Sequence, residues 1–186
     1  MRQSRLKDAV TEPVTIEQVK SDLILAGNAD DELISDWIVS FRQLVEEHVK
    51  LSLLTQTRRV SFKLNELENN DRFILPRPPI QSITSVTYTD QDGNVDSYVA
   101  NDDYRQEEEW IVFTTAPFKD IDHLEEDVGR FIVDYTAGYT SVDDVPRPIS
   151  NAIRNATAAH YENREMFVLP PAVRTQLAPY RRGRLL

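Results

Sequence analysis

Five carboxylates fall within eight residues of this 186-residue chain: Asp102, Asp103, Glu107, Glu108 and Glu109. Clustered carboxylates can hold a hard cation, or divide into a general acid and a general base, as in a metal-dependent hydrolase or nuclease. The spacing argues against both. The run lacks the spaced Asp/Asn ligands and turn glycine of a calcium loop, and consecutive glutamates on a strand point to opposite faces. An exposed acidic loop is expected. Other chemistry-bearing residues are sparse. There are three histidines (His48, His123, His160) and no cysteine, which removes thiolate zinc sites, disulfides and cysteine nucleophiles. No G-x-x-x-x-G-K-[ST], G-x-G-x-x-G, H-E-x-x-H or G-x-S-x-G pattern occurs, and five glycines leave little from which to build a phosphate-cradling loop. His160 continues an apolar helical stripe and is expected as a hydrogen-bonded core histidine. Tyr135 and Tyr139 flank Gly138, where they would plug a join between sheet and helices. The residues single out no catalytic group, cofactor or metal site, and a non-enzymatic protein is expected, with a small metal-dependent hydrolase or nuclease using Asp102 to Glu109 as the lesser alternative.

Charge points to contact surfaces instead. Lys+Arg number 21 against 31 Asp+Glu, a net charge of −10, which argues against a protein that clamps nucleic acid over its whole surface. Ten of the acids lie between Asn101 and Asp127, against Arg105 and Lys119. The segment Arg181 to Leu186 reverses the sign, with three arginines and no acid, and ends on Leu185-Leu186. Leucines beside arginines on an exposed segment suit an anchor that becomes buried on binding.

The elements that must position these residues follow from periodicity. With 40% hydrophobic residues the chain can build a core, and its length suits one domain or one with an elaboration. No apolar run approaches the roughly 18 residues of a membrane span. Met1 to Val10 carries charges without an apolar stretch after them, so a soluble cytoplasmic protein without a secretory signal is expected. Thr15 and Gln18 form a capping-box pattern, with Ile16, Val19 and Leu23 on one face and Gly27-Asn28 as a stop, predicting a helix over about 16–26. A second helix, capped by Asp30 or Asp31, carries the stripe Leu33, Ile34, Trp37, Ile38, Phe41, Leu44, Val45, His48 and Val49. Glu32, Asp36, Arg42, Glu46 and Lys50 are expected on its polar face.

From about 56 to 137 the period becomes two, predicting a small antiparallel sheet of five or six strands. Val60, Phe62 and Leu64 alternate with polar residues, and Phe73 to Leu75 is stopped by prolines at 76, 78 and 79. Val86 to Thr89 and Asp96 to Val99 flank Asp92-Gly93, a hairpin turn signal, and Trp110 to Phe113 and Arg130 to Tyr135 follow. Helical spacing returns after Pro148 with Ile149, Ala152, Ile153, Ala156, Ala159 and His160, then again from Ala172 to Leu177 after Pro171. The expected class is α+β, a small bundle of two N-terminal and two C-terminal helices with an inserted antiparallel sheet. The two helical pairs must pack together to bury their stripes.

Eight collinear segments carry a resemblance. They are Pro13 to Lys20, Asp31 to Ile34, Leu54 to Thr57, Leu75 to Ile83 with Val86 to Tyr88, Asp134 to Tyr139, Val145 to Ile149, His160 to Arg164 and Leu177 to Arg181. In this order and spacing the chain resembles the head–tail connector (adaptor) proteins of long-tailed phages, prophages and gene transfer agents. The likeness covers nearly the whole chain, while 99–128 follows no pattern of that family.

The resemblance implies one adaptor domain over 1–186, with helices at about 15–51 and 147–178, a β insertion at about 56–140 and a tail at 179–186. It implies a homo-oligomeric ring, typically dodecameric, beneath the portal protein in the virion neck, made in the host cytoplasm. Such a ring extends the DNA channel, lets double-stranded DNA pass without specific binding and presents a surface to stopper or tail-terminator proteins. A stopper or tail terminator is the neighbouring alternative. The family's portal grip maps here onto Tyr180, Arg181, Arg182, Arg184, Leu185 and Leu186.

Overall fold

Alternating and helical periods resolve into an α+β chain in the computed structural model, which describes residues 1–68, 71–90, 93–114, 129–164 and 167–183. In chain order the elements are β1 (Arg2–Lys7), α1 (Ile16–Leu23), α2 (Asp31–Val49), β2 (Gln56–Phe62), β3 (Arg72–Ile74), β4 (Ile80–Thr89), β5 (Val95–Tyr98), β6 (Tyr104–Glu107), β7 (Trp110–Phe113), β8 (Arg130–Ala137), α3 (Arg147–Asn163) and α4 (Pro171–Leu177). They divide into two compact units. One joins Met1–Asp8 to Thr55–Gly138, and the other joins Ala9–Leu54 to Tyr139–Leu186. No helix among the described residues is long and apolar enough to cross a membrane.

The first unit is all β and holds two antiparallel sheets rather than the one expected. A five-stranded sheet runs β1-β2-β8-β4-β5, and a three-stranded sheet runs β3-β7-β6. β8 is central, pairing Val60↔Val133 on one side and Val86↔Val133 on the other. On its outer face the directly opposed Arg59 and Asp134 form a bidentate pair at 2.6 and 2.7 Å. On its inner face Phe131 lies among Phe62, Tyr88, Tyr98 and Phe113, with ring centroids 5.0–5.7 Å away. Burial raises the Tyr98 hydroxyl to a pKa of about 12. The β4–β5 hairpin forms where Asp-Gly signalled it, in register from Val86↔Tyr98 to Thr89↔Val95. Gly138 leaves β8 at φ 118, a conformation that favours glycine, and its N–H donates to Pro79 O at 2.8 Å.

Two strands depart from expectation. β1 gives no sequence signal, because it lacks apolar alternation and is held by its ladder to β2, where Ser4 pairs with Arg59. β6 falls within the expected acidic loop. Its first residue, Tyr104, is buried, and that anchors an otherwise exposed strand. Leu64, expected at the end of a strand, lies in a 3-10 turn, Leu64–Glu66.

The second unit is helical, and the two helical pairs pack around one core of Ile34, Phe41, Val45, Ile149, Ile153, Val173 and Leu177, all at most 4% exposed. The Thr15 capping box forms: Gln18 N donates to Thr15 Oγ1 at 3.3 Å and Thr15 N to Gln18 Oε1 at 3.0 Å. α1 then ends earlier than Gly27-Asn28 would place it. Leu25 N donates to Lys20 O at 3.0 Å and Leu25 packs on the core, which leaves Ile24 left-handed (φ 54) and 93% exposed. A β-branched residue is strained there. Ile24→Gly should therefore raise stability by roughly 0.5–1 kcal/mol, read by denaturant titration of the full chain. A loss of stability would contradict this reading.

α2 corrects a second expectation. Arg42 (1% exposed) and Glu46 (0%) are buried rather than on a polar face, whereas Leu33, counted in the stripe, is 38% exposed. α2 is covered on more than one side: α1, α3 and α4 pack on it, and Glu12 reaches Arg42 from the preceding segment.

Candidate binding surfaces

The five clustered carboxylates are spread along a turn and a hairpin instead of converging. The Asp103 carboxylate accepts from Val99 N at 2.7 Å, and Glu107 pairs with Arg105 at 2.6 Å. Glu108 turns the β6–β7 hairpin at φ 52, and the Glu109 carbonyl accepts from Leu75 N at 2.7 Å. Among the described residues no three carboxylates or imidazoles gather where they could hold a metal ion. The remaining acids of the run, from Asp120 to Asp127, lie outside the described residues.

His160 is half-buried and takes part in an aromatic cluster. Its ring meets Trp37 edge-on at 4.7 Å, Phe41 at 5.6 Å and Phe167 at 4.3 Å. It thus packs among aromatic rings at the edge of the helical core, half-buried rather than fully enclosed. Tyr135 is buried in the β unit, its hydroxyl donating to Pro76 O at 2.7 Å. Tyr139 packs against the helical core, so each tyrosine serves its own unit.

The basic segment begins as part of the helical unit. Ala178–Tyr180 forms a 3-10 turn, and Tyr180 is half-buried against the helical core. Arg182 N donates to Val49 O at 3.0 Å, satisfying a carbonyl at the end of α2. Arg181 is exposed and, with Arg174 and Lys50, surrounds His48 in the last turn of α2. Burial first, then those three cations, lowers the His48 pKa below its ordinary value. A cationic corner thus stands on a chain of net charge −10. Arg184, Leu185 and Leu186 lie outside the described residues.

The site that sequence reasoning missed is a buried ionic network. Arg42 Nε donates to Glu12 Oε2 at 2.7 Å, and Arg42 Nη1 to Glu46 Oε2 at 3.3 Å. Glu46 Oε1 accepts from Leu53 N at 2.9 Å. The available signal was an opposite-charge i,i+4 pair set one residue beyond the stripe positions Phe41 and Val45.

A chain from the neck of an empty gene transfer agent particle, computed with C6 symmetry, matches at TM-score 0.75 and 18% identity, over 100% of this chain and 98% of that one. This chain has the same fold. A chain from the virion of the native particle matches at TM-score 0.74 and 19% identity, and one from the native neck, computed with C12 symmetry, at 0.74 and 18%; each covers 100% of this chain and 98% of the other. No protein-family model and no curated protein matches the sequence. What is shared is thus the fold, from end to end, with most side chains changed.

Proposed function

We propose that this chain is a structural, non-enzymatic subunit of the neck of a tailed, DNA-carrying particle: an adaptor that forms a ring beneath the portal and receives the stopper or tail. The observation that carries the reading is the end-to-end fold likeness to neck chains solved under sixfold and twelvefold symmetry. Chemistry supports it. An acidic wall repels phosphate, so a duplex can slide through a ring of such chains without sticking. The cationic corner at Lys50, Arg174 and Arg181 gives each copy a contact for acidic groups of the portal. Repetition around a ring multiplies a modest contact, since each later segment docks at high effective concentration. Arg184, Leu185 and Leu186 complete the anchor.

Particles produced without this chain should appear by electron microscopy as capsids and tails that fail to join. Capsids carrying tails at the normal frequency would overturn the reading. Pull-down of the purified chain by portal rather than by tail protein separates an adaptor from a stopper or tail terminator.

A further inference from the structure

The five-stranded sheet ends on two strands of opposite charge. β1 carries Arg2, Arg5 and Lys7 and no acid, whereas β5 carries Asp96 and no base. Both are outer strands, and among the described residues no strand lies beyond either. An outer strand presents main-chain donors and acceptors that can template another strand. On β5 they can be named. Asp90 N donates to Asn94 O at 3.0 Å, so the 90/94 pair is hydrogen-bonded. Alternation along the ladder makes Thr89↔Val95 and Thr87↔Ser97 the non-bonded pairs, so the N–H and C=O groups of Val95 and Ser97 point away from β4. Exposed apolar side chains lie on the same two strands: Leu6 at 48% and Val95 at 60%.

We propose that β1 of one copy adds as a strand to β5 of the next, joining the sheets of neighbouring copies head to tail. The inference rests on the ring reading above and names the surface that closes the ring. Charge selects the pairing. β1 against β1 would bring cations together, and β5 against β5 would bring Asp96 against Asp96; the unlike edges attract. A contact between two different patches closes into a ring when its repeated rotation completes a full turn, as the sixfold or twelvefold symmetry of a neck requires.

The absence of cysteine from the chain makes cross-linking a clean test. Ser4 opposes Arg59, next to the pair Gln3↔Val60 whose valine is buried, so Ser4 faces away from the core. Ser97 does likewise, since its neighbour Tyr98 packs on Phe113 and Phe131. Within one copy the two positions lie four strand spacings apart, about 19 Å at about 4.8 Å each. That exceeds the roughly 7 Å between Cα atoms that a disulfide tolerates, so any bridge must join two copies.

Particles carrying the full chain with Ser4→Cys and Ser97→Cys, or the register alternatives Arg2→Cys and Val95→Cys, are first imaged for the ring and then oxidised. At least one pairing should give a ladder of covalent multimers on a non-reducing gel, while single-cysteine variants stay monomeric. A ring seen by microscopy whose pairings all stop at monomer or dimer overturns the edge proposal and leaves the ring reading standing. Wild-type particles without a ring overturn both. Should the cysteines impair assembly, charge reversal gives a second readout. Asp96→Lys, an exposed position on β5, should cut ring incorporation about tenfold while the chain stays folded. Undiminished incorporation counts against the proposal.

Discussion

Glu46→Ala is expected to destabilise the full chain by about 3–5 kcal/mol, the usual cost of stranding one partner of a buried ion pair. The carboxylate has two jobs. One oxygen receives Arg42 at 3.3 Å and the other receives the Leu53 amide at 2.9 Å. Truncation leaves the 1%-exposed guanidinium with Glu12 on a weakened network and takes the acceptor from Leu53 N. Removing both charges should be milder, because two desolvation costs vanish together. Arg42→Met with Glu46→Leu should recover at least half of the single-variant loss, and only the orphaned Leu53 amide should keep it from full recovery. Chemical denaturation of the two single variants and the double variant closes the cycle. A Glu46→Ala cost below about 1 kcal/mol would show the pair to be ordinary surface charge. Since a whole domain is stable by only about 5–15 kcal/mol, the network decides whether the helical unit holds its shape.

Removing residues 183–186 is expected to weaken attachment to portal-bearing capsids by roughly a hundredfold while changing stability by less than about 0.5 kcal/mol. The two effects separate because Arg182 N to Val49 O, a contact that seats the segment on the helical unit, is preserved by this cut. Arg184, Leu185 and Leu186 are lost, and with them the charge and the two apolar side chains of the proposed anchor. A longer cut, removing 180–186, deletes half-buried Tyr180 and reopens the Val49 carbonyl. It should cost about 2 kcal/mol in addition to attachment. Co-sedimentation with capsids, alongside denaturation of each variant, checks both. Undiminished attachment of the chain ending at Arg182 would remove the anchor from the account.

What could be read from the residues was what local sequence controls. The Thr15–Gln18 box, the proline that opens α4 and the Asp92-Gly93 hairpin signal each act within a few residues, and the stripe of α2 repeats often enough to be unambiguous. What escaped depends on distant partners. Arg2–Lys7 is a strand only because β2 lies beside it, and no alternation in RQSRLK announces that. Arg42 and Glu46 looked solvated until Glu12 and Leu53 N closed over them. Tyr180 looked like the start of an exposed tail, but it packs on the core and moves the start of any free anchor past Arg182. The basic segment from Arg181 was legible as a reversal of charge along the chain. The β1 and β5 borders of the sheet escaped, since a sheet border exists only once the strand order is known.

As a ring subunit of a particle neck, the proposed role, this chain should be visible in place in a cryo-electron microscopy map of the intact particle that contains it. Between shell and tail the map should show a ring of cyclically repeated copies into which this α+β chain fits. A complete neck whose density is filled by other chains, with none left for this one, would contradict it.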